Sequence, residues 1–200
     1  DDAARRVRSM HHHAGLGNQP HVALAEDKVA SLRVMRLDGQ RALILGSGGA
    51  ARAIAFALAT GSNIPGLTIL GIEEAERQKL VKDLRAKCAI PVEDGPLSLD
   101  MLRYWVPHVR TLIHCTPVGM SPKVDATCVP ANLLRPELTV MDIVYNPRET
   151  RLLQDAKAAG CRTIPGLEMF LNQAVMQFEL WTNTQAPVDV MRQVLESRFQ

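Results

Sequence analysis

The sequence predicts an α/β fold: a doubly wound parallel sheet in a single domain, behind an irregular N-terminal segment. Three observations predict it. Short apolar runs alternate with amphipathic stretches from residue 42 onward, which is the pattern of parallel strands joined by crossover helices. A glycine-rich string links the first apolar run to an Ala-rich stretch, which reads as strand, turn and helix. The chain has 200 residues, 46% hydrophobic and 22% charged, the size and composition of one packed domain.

The elements follow in order. Residues 1–19 are polar and aperiodic and read as an irregular tail. Residues 20–36 read as a linker helix, because Val22, Ala25, Val29 and Leu32 share one helical face and Pro20 suits a helix start. Residues 37–200 form the dinucleotide-binding domain with its C-terminal helices. It opens at a turn over 37–40, where Asp38-Gly39 is a strong turn dipeptide. Strands are predicted at 42–45, 67–70, 89–92, 111–114, 139–144 and 162–164. Helices are predicted at 50–60, 74–87, 99–106, 149–159, 167–182 and 187–199. No internal repeat is visible.

Composition excludes several classes of function. Lys+Arg 23 against Asp+Glu 21 gives a net charge of +2, so no charge excess calls for nucleic acid or a membrane surface. The most apolar stretch, residues 42–59, is broken by Ser47, Arg52 and three glycines and does not read as a bilayer span. Cys88, Cys115, Cys128 and Cys161 have no Cys-x-x-Cys spacing, which predicts buried or idle thiols of a reducing cytosol and no structural metal site. His11, His12 and His13 are adjacent and read as part of a solvated tail. No signal peptide is visible, so the expected location is cytoplasmic.

Gly46-Ser47-Gly48-Gly49-Ala50-Ala51 fits G-x-G-x-x-A between a predicted strand and a predicted helix. In that context the first glycine permits a tight turn and the second lets backbone approach a pyrophosphate. Ala51 lets the helix pack near the strand. The helix N-terminus offers N–H groups and a positive dipole end to the phosphates. Beyond the second strand, Glu73 stands where a carboxylate can accept from the adenosine ribose and repel a 2′-phosphate. Glu73 and Glu74 can equally serve as the acidic first turn of the next helix.

Three later strings narrow the reading. They are Cys115-Thr116-Pro117-Val118-Gly119-Met120, then Asp142-Ile143-Val144-Tyr145-Asn146-Pro147 with Thr150 and Leu152-Leu153, then Gly166-Leu167-Glu168-Met169-Phe170-Leu171-Asn172-Gln173-Ala174. In this order after the glycine turn, over roughly residues 37–199, the chain resembles the cofactor half of the shikimate/quinate dehydrogenase family. The resemblance implies a Rossmann-like NAD(P)-dependent oxidoreductase of aromatic amino acid biosynthesis. Its partners would be a small molecule, shikimate, 3-dehydroshikimate or quinate, and neither nucleic acid nor membrane.

The resemblance also implies site residues. Gly46, Ser47, Gly48, Gly49 and Ala50 would hold the pyrophosphate, with Ala51 behind them. Cys115 and Thr116 would line the cofactor cleft. Ile143 would present backbone to the nicotinamide end, with Gly166 beside it, and Tyr145 and Gln173 would reach the substrate. Helix periodicity agrees in part, since Gly166 and Gln173 lie two turns apart on one face, with Met169 and Phe170 expected between them there.

Three positions depart from the family. His114 stands where the family usually has Asn, and it can still donate a hydrogen bond. Gly71-Ile72-Glu73 replaces the Asn-Arg-Thr of NADP-binding members, with Ile72 in place of the Arg that pairs with the 2′-phosphate. NADP is the family default, and Glu73 with Ile72 favours NAD. The family's catalytic Asn-Val-Thr-x-Pro-x-Lys and Gly-x-Asn-Thr-Asp patterns do not occur. Lys28 is the only Lys before Gly46 and lies off the apolar helix face. No catalytic residue is assigned, and the N-terminal substrate domain is expected to be missing. Three functions follow as expectations. The first is a shikimate or quinate dehydrogenase-type oxidoreductase represented by its cofactor domain. The alternative is a non-catalytic nucleotide-binding or regulatory module derived from that family. The third is an oxidoreductase of another substrate class using the same cofactor domain, which the match of Tyr145 and Gln173 to substrate-side residues disfavours.

Overall fold

The structure, a computed structural model, describes residues 39–198. The tail at 1–19, the helix at 20–36, the three adjacent histidines, Lys28 and Phe199 lie outside the described residues. Gly39 takes part in a turn with φ of 73°, as Asp-Gly predicts.

Six strands form one parallel sheet in the order β3-β2-β1-β4-β5-β6. The strands are β1 (Ala42–Leu45), β2 (Leu67–Gly71), β3 (Val92–Pro96), β4 (Thr111–His114), β5 (Thr139–Asp142) and β6 (Arg162–Ile164). The helices are α1 (Gly49–Gly61), α2 (Glu74–Lys87), α3 (Leu99–Trp105), α4 (Arg151–Ala158), α5 (Gly166–Thr182) and α6 (Val188–Arg198). The chain runs outward from β1 to β3, then returns to β4 on the other side of β1. This reversal leaves a crevice at the carboxyl ends of β1 and β4, where open α/β sheets bind ligands.

Side-chain alternation along the strands builds two cores. Ala42 and Ile44 of β1, Leu67 and Ile69 of β2, Ile113 of β4 and Met141 of β5 face one layer. There they meet Ile54 and Leu58 of α1, Leu80 and Leu84 of α2, and Met169 of α5. Leu43, Leu45, Leu70, Leu112 and Val140 face the other layer, with Leu102 of α3 and Leu152, Leu153 and Ala156 of α4. Both faces of the central strands are covered, so β1 reads as a continuous apolar run.

The third strand differs from expectation. It occupies Val92–Pro96 rather than 89–92. As an edge strand bonded only to β2, it buries Val92 and Gly95 and exposes Glu93 and Pro96. An edge needs no apolar run, so apolarity pointed to the preceding loop. β5 ends two residues early because the Val144 N–H donates to the Asp142 carboxylate at 2.9 Å, a turn that competes with the ladder. α4 starts at Arg151 because the Thr150 hydroxyl caps it, accepting from the Leu153 N–H. Among the described residues no helix is long and apolar enough to cross a membrane.

Candidate functional site

The glycine turn follows β1 directly. Gly46 has φ of 109°, and a Cβ there would lie 2.6 Å from the Cys115 carbonyl oxygen. Only glycine satisfies both conditions. Hydrogen bonds from Gly46 N to Leu70 O and from Cys115 N to Leu45 O, both 2.7 Å, lock the turn between β2 and the loop after β4. Beyond it, a Cβ on Gly48 would meet nothing closer than Glu76 at 4.0 Å, and one on Gly49 would meet nothing within 4 Å. The first turn of the 13-residue helix α1 carries no acidic residue. The first turn of α1 therefore brings no carboxylate of its own to this end, the Glu76 carboxylate being held by Ser47, and the space beside Gly49 can admit a pyrophosphate.

Ser47 and Ala51 turn away from that space. The Ser47 side chain is buried and its hydroxyl donates to the Glu76 carboxylate at 2.9 Å, so only its backbone is free for a phosphate. Ala51 is fully buried against the sheet. Beside them, Ile72 is 79% exposed and Glu73, the N-cap residue of α2, is exposed without making a side-chain cap bond. The buried Arg77 guanidinium is committed to the Gly71 carbonyl and the Asp94 carboxylate, both at 3.0 Å. The rim after β2 thus presents carboxylates and no free guanidinium from Arg77.

The other side of the crevice rests on a buried polar network. His114 ends β4 and Asp142 ends β5, and the parallel register places them opposite each other. They are 1% and 0% exposed. His114 Nδ1 lies 2.9 Å from Asp142 Oδ1, and Nε2 lies 2.5 Å from the Thr116 hydroxyl. Asp142 Oδ2 accepts from the Thr150 hydroxyl at 2.6 Å. Burial alone pulls His114 toward the neutral form, but the hydrogen bond to Asp142, the proximity of Cys128 and the charge of Asp142 more than offset it, raising its pKa to about 9. The imidazolium form therefore prevails at neutral pH. Burial, with the Asp142 charge, pushes the Cys115 thiol up, so Cys115 is a neutral, partly buried group packed against the core.

Gly166 opens α5 against the loop after β5. A Cβ there would fall 2.5 Å from both the Ile143 and Val144 carbonyl oxygens, so a glycine is required for this approach. Tyr145 stacks on Phe170 with ring centroids 4.6 Å apart and planes 10° from parallel. Phe170 sits one turn before the half-buried Gln173 on α5, which brings the tyrosine onto the helix that carries the glutamine. Met169, by contrast, is buried in the core rather than sharing the open face. Gly46, Glu73, Cys115, Ile143 and Gly166 all lie within two residues of a strand's carboxyl end.

Two parts of this arrangement escape sequence reasoning. The His114–Asp142 pair depends on strand register, and the local signals were only His114 at the end of one apolar strand and Asp142 inside the next expected one. The Ser47–Glu76 bond joins residues 29 apart and has no local signal.

Known proteins share this architecture. The family model for the shikimate 5′-dehydrogenase C-terminal domain matches residues 166–196. The shikimate dehydrogenase (NADP(+)) of Methanosarcina barkeri is 41% identical over 167 residues, covering 83% of this chain and 58% of that relative. The chain thus spans little more than half the length of this relative. The solved structure of shikimate 5-dehydrogenase from Listeria monocytogenes, in complex with shikimate and NAD, superposes with a TM-score of 0.78. It is 32% identical and covers 86% of this chain and 61% of that one. The ligand-free 5-ketofructose reductase of a Gluconobacter strain gives a TM-score of 0.76 at 33% identity, over 88% of this chain and 63% of that one. The glycine turn at the sheet reversal, the Gly166 contact and this degree of identity lead to one conclusion: the chain belongs to the shikimate dehydrogenase family.

Proposed function

We propose that residues 37–200 form the nicotinamide-cofactor part of a shikimate or quinate dehydrogenase-type oxidoreductase. The observation that carries this reading is the glycine turn, with open space over the α1 N-terminus, at the point where the strand order reverses. The bound nicotinamide would supply or accept the hydride. The backbone N–H groups of residues 46–50 hold the pyrophosphate. Cys115 and Thr116 line the cleft, Ile143 offers backbone to the nicotinamide end, and Gly166 keeps α5 close to it. Tyr145 and Gln173 face the substrate.

NAD is the proposed cofactor rather than NADP, although the Methanosarcina barkeri relative is named for NADP(+). Ile72 offers no cation, Arg77 is already paired, and Glu73 would repel a 2′-phosphate. Calorimetric titration with NAD⁺ and NADP⁺ tests this. Tighter NAD⁺ binding is expected, and Glu73→Arg or Ile72→Arg should raise relative NADP⁺ affinity about tenfold, near the value of one new phosphate pair. Failure to bind either nucleotide would overturn the reading.

A second reading has its own support. Hydride transfer needs a positioned acid–base group for the accompanying proton, and the family's Lys and Asp patterns do not occur in these residues. A non-catalytic nucleotide-binding module of the same descent would show cofactor affinity without turnover.

A further inference from the structure

Gly71 ends β2, and a Cβ there would fall 3.0 Å from the Ser47 hydroxyl oxygen. The missing side chain leaves the seat in which Ser47 is buried. From that seat Ser47 gives its one proton to Glu76 Oε2 at 2.9 Å. The direction of this bond is fixed, because an ionised carboxylate only accepts. The bond ties the Glu76 carboxylate, from the first turn of α2, to the glycine turn. There Glu76 Oε1 lies 4.0 Å from the place a Cβ on Gly48 would take. Gly48 is the second glycine of the turn, whose bare backbone lets a dinucleotide approach.

Among the described residues, Glu76 has this one neutral donor and no cation. Arg77, its chain neighbour, is spent on the Gly71 carbonyl and the Asp94 carboxylate. Oε1 is thus an acceptor without a donor, at the edge of the proposed cofactor crevice. Glu73 is placed differently. It makes no side-chain cap bond, and it comes within 4 Å of the Cβ position of neither Gly48 nor Gly49. Of the two carboxylates, only that of Glu76 is held against the turn.

We propose that Glu76 reads the adenosine ribose of the bound nucleotide, its Oε1 accepting from the 2′-hydroxyl, and that Ser47 is the residue that positions it. The proposal rests on the cofactor reading above and names the group that makes the ribose contact within it. The ribose hydroxyl supplies the donor that Oε1 lacks. A 2′-phosphate would bring acceptors and negative charge against the same oxygen. Glu73 adds negative charge at the rim without making the hydrogen bond.

The test compares two ligands by calorimetry: NAD⁺ and the NAD⁺ analogue that lacks the 2′-hydroxyl of its adenosine ribose. The parent chain should prefer NAD⁺ about tenfold, the value of one hydrogen bond to a charged group. Glu76→Ala should bring that ratio close to one by weakening NAD⁺ while leaving the analogue's affinity unchanged. Ser47→Ala frees the carboxylate and should cut the ratio to about threefold, leaving the value of a looser bond. Glu73→Gln should keep the full ratio. Each ratio compares two ligands on one protein, so a general loss of folding or of binding cancels from it. The proposal is overturned by a parent chain that binds both ligands equally, by a Glu76→Ala chain that weakens both alike, or by a ratio that Glu73→Gln abolishes. A ratio unchanged in Ser47→Ala overturns the positioning role of Ser47. These outcomes leave the cofactor reading standing, whereas a chain that binds neither ligand overturns both.

Discussion

At the scale of single residues, the crevice is shaped by positions that tolerate no other side chain. Gly166 holds α5 against two carbonyl oxygens at contact distances a Cβ cannot share. Gly166→Ala should cost about 2–4 kcal/mol, the range for forced backbone displacement at a packed site, read as a lower denaturation midpoint with an unchanged slope. His114 makes stability depend on pH. Its pKa is about 9 in the fold against a reference of 6.5. A group more basic when folded stabilises fully below its unfolded pKa, and that contribution fades as pH rises through the folded one. Urea denaturation should therefore show stability falling between pH 6.5 and 9.5. His114→Asn should flatten that part of the profile while lowering stability at neutral pH.

At the scale of elements, two helices with similar caps should respond differently to loss of the cap. Ser98 caps α3 by accepting from the Met101 N–H, and Thr150 caps α4 by accepting from the Leu153 N–H, both at 3.3 Å. Ser98→Ala should cost about 1 kcal/mol. Thr150→Ala should cost roughly 2–4 kcal/mol, because it also removes the donor to the fully buried Asp142 carboxylate. Equal losses in paired denaturation curves would show that the Asp142 contact carries no weight. Helix α2 begins on an acidic string. Glu74 and Glu76 lie in its first turn, with Arg85 and Lys87 in its last, which complements the helix dipole. Glu76 also anchors Ser47 of the glycine turn, and Glu73 remains exposed. The acidic string thus supports the helix and faces the proposed ribose rim at once. The edge strand β3 shows the limit of reading elements from apolarity. A strand paired on one side can carry Glu93, Asp94 and Pro96, and nothing in its pattern marks it.

At the scale of the whole molecule, one sheet reversal collects groups spread over 120 residues of chain, from Gly46 to Gly166, at the carboxyl ends of the strands. The chain matches 58% of its Methanosarcina barkeri relative. With no Lys and Asp patterns for proton transfer, it is expected to bind NAD⁺ without reducing it in the presence of shikimate. The check is absorbance at 340 nm under conditions where calorimetry shows saturation. Shikimate-dependent NADH formation would place an acid–base group within these residues. The sequence by itself determined the alternation of strands and helices and the glycine turn. These follow from local periodicity and from the backbone freedom of glycine, both carried by neighbouring residues. Only the tertiary structure decided that His114 meets Asp142, that Ser47 holds Glu76, that Tyr145 stacks on Phe170, and that β3 lies at the edge. Each depends on which strands pair and in what register, a choice made by packing the two faces of the sheet rather than by any short run of chain.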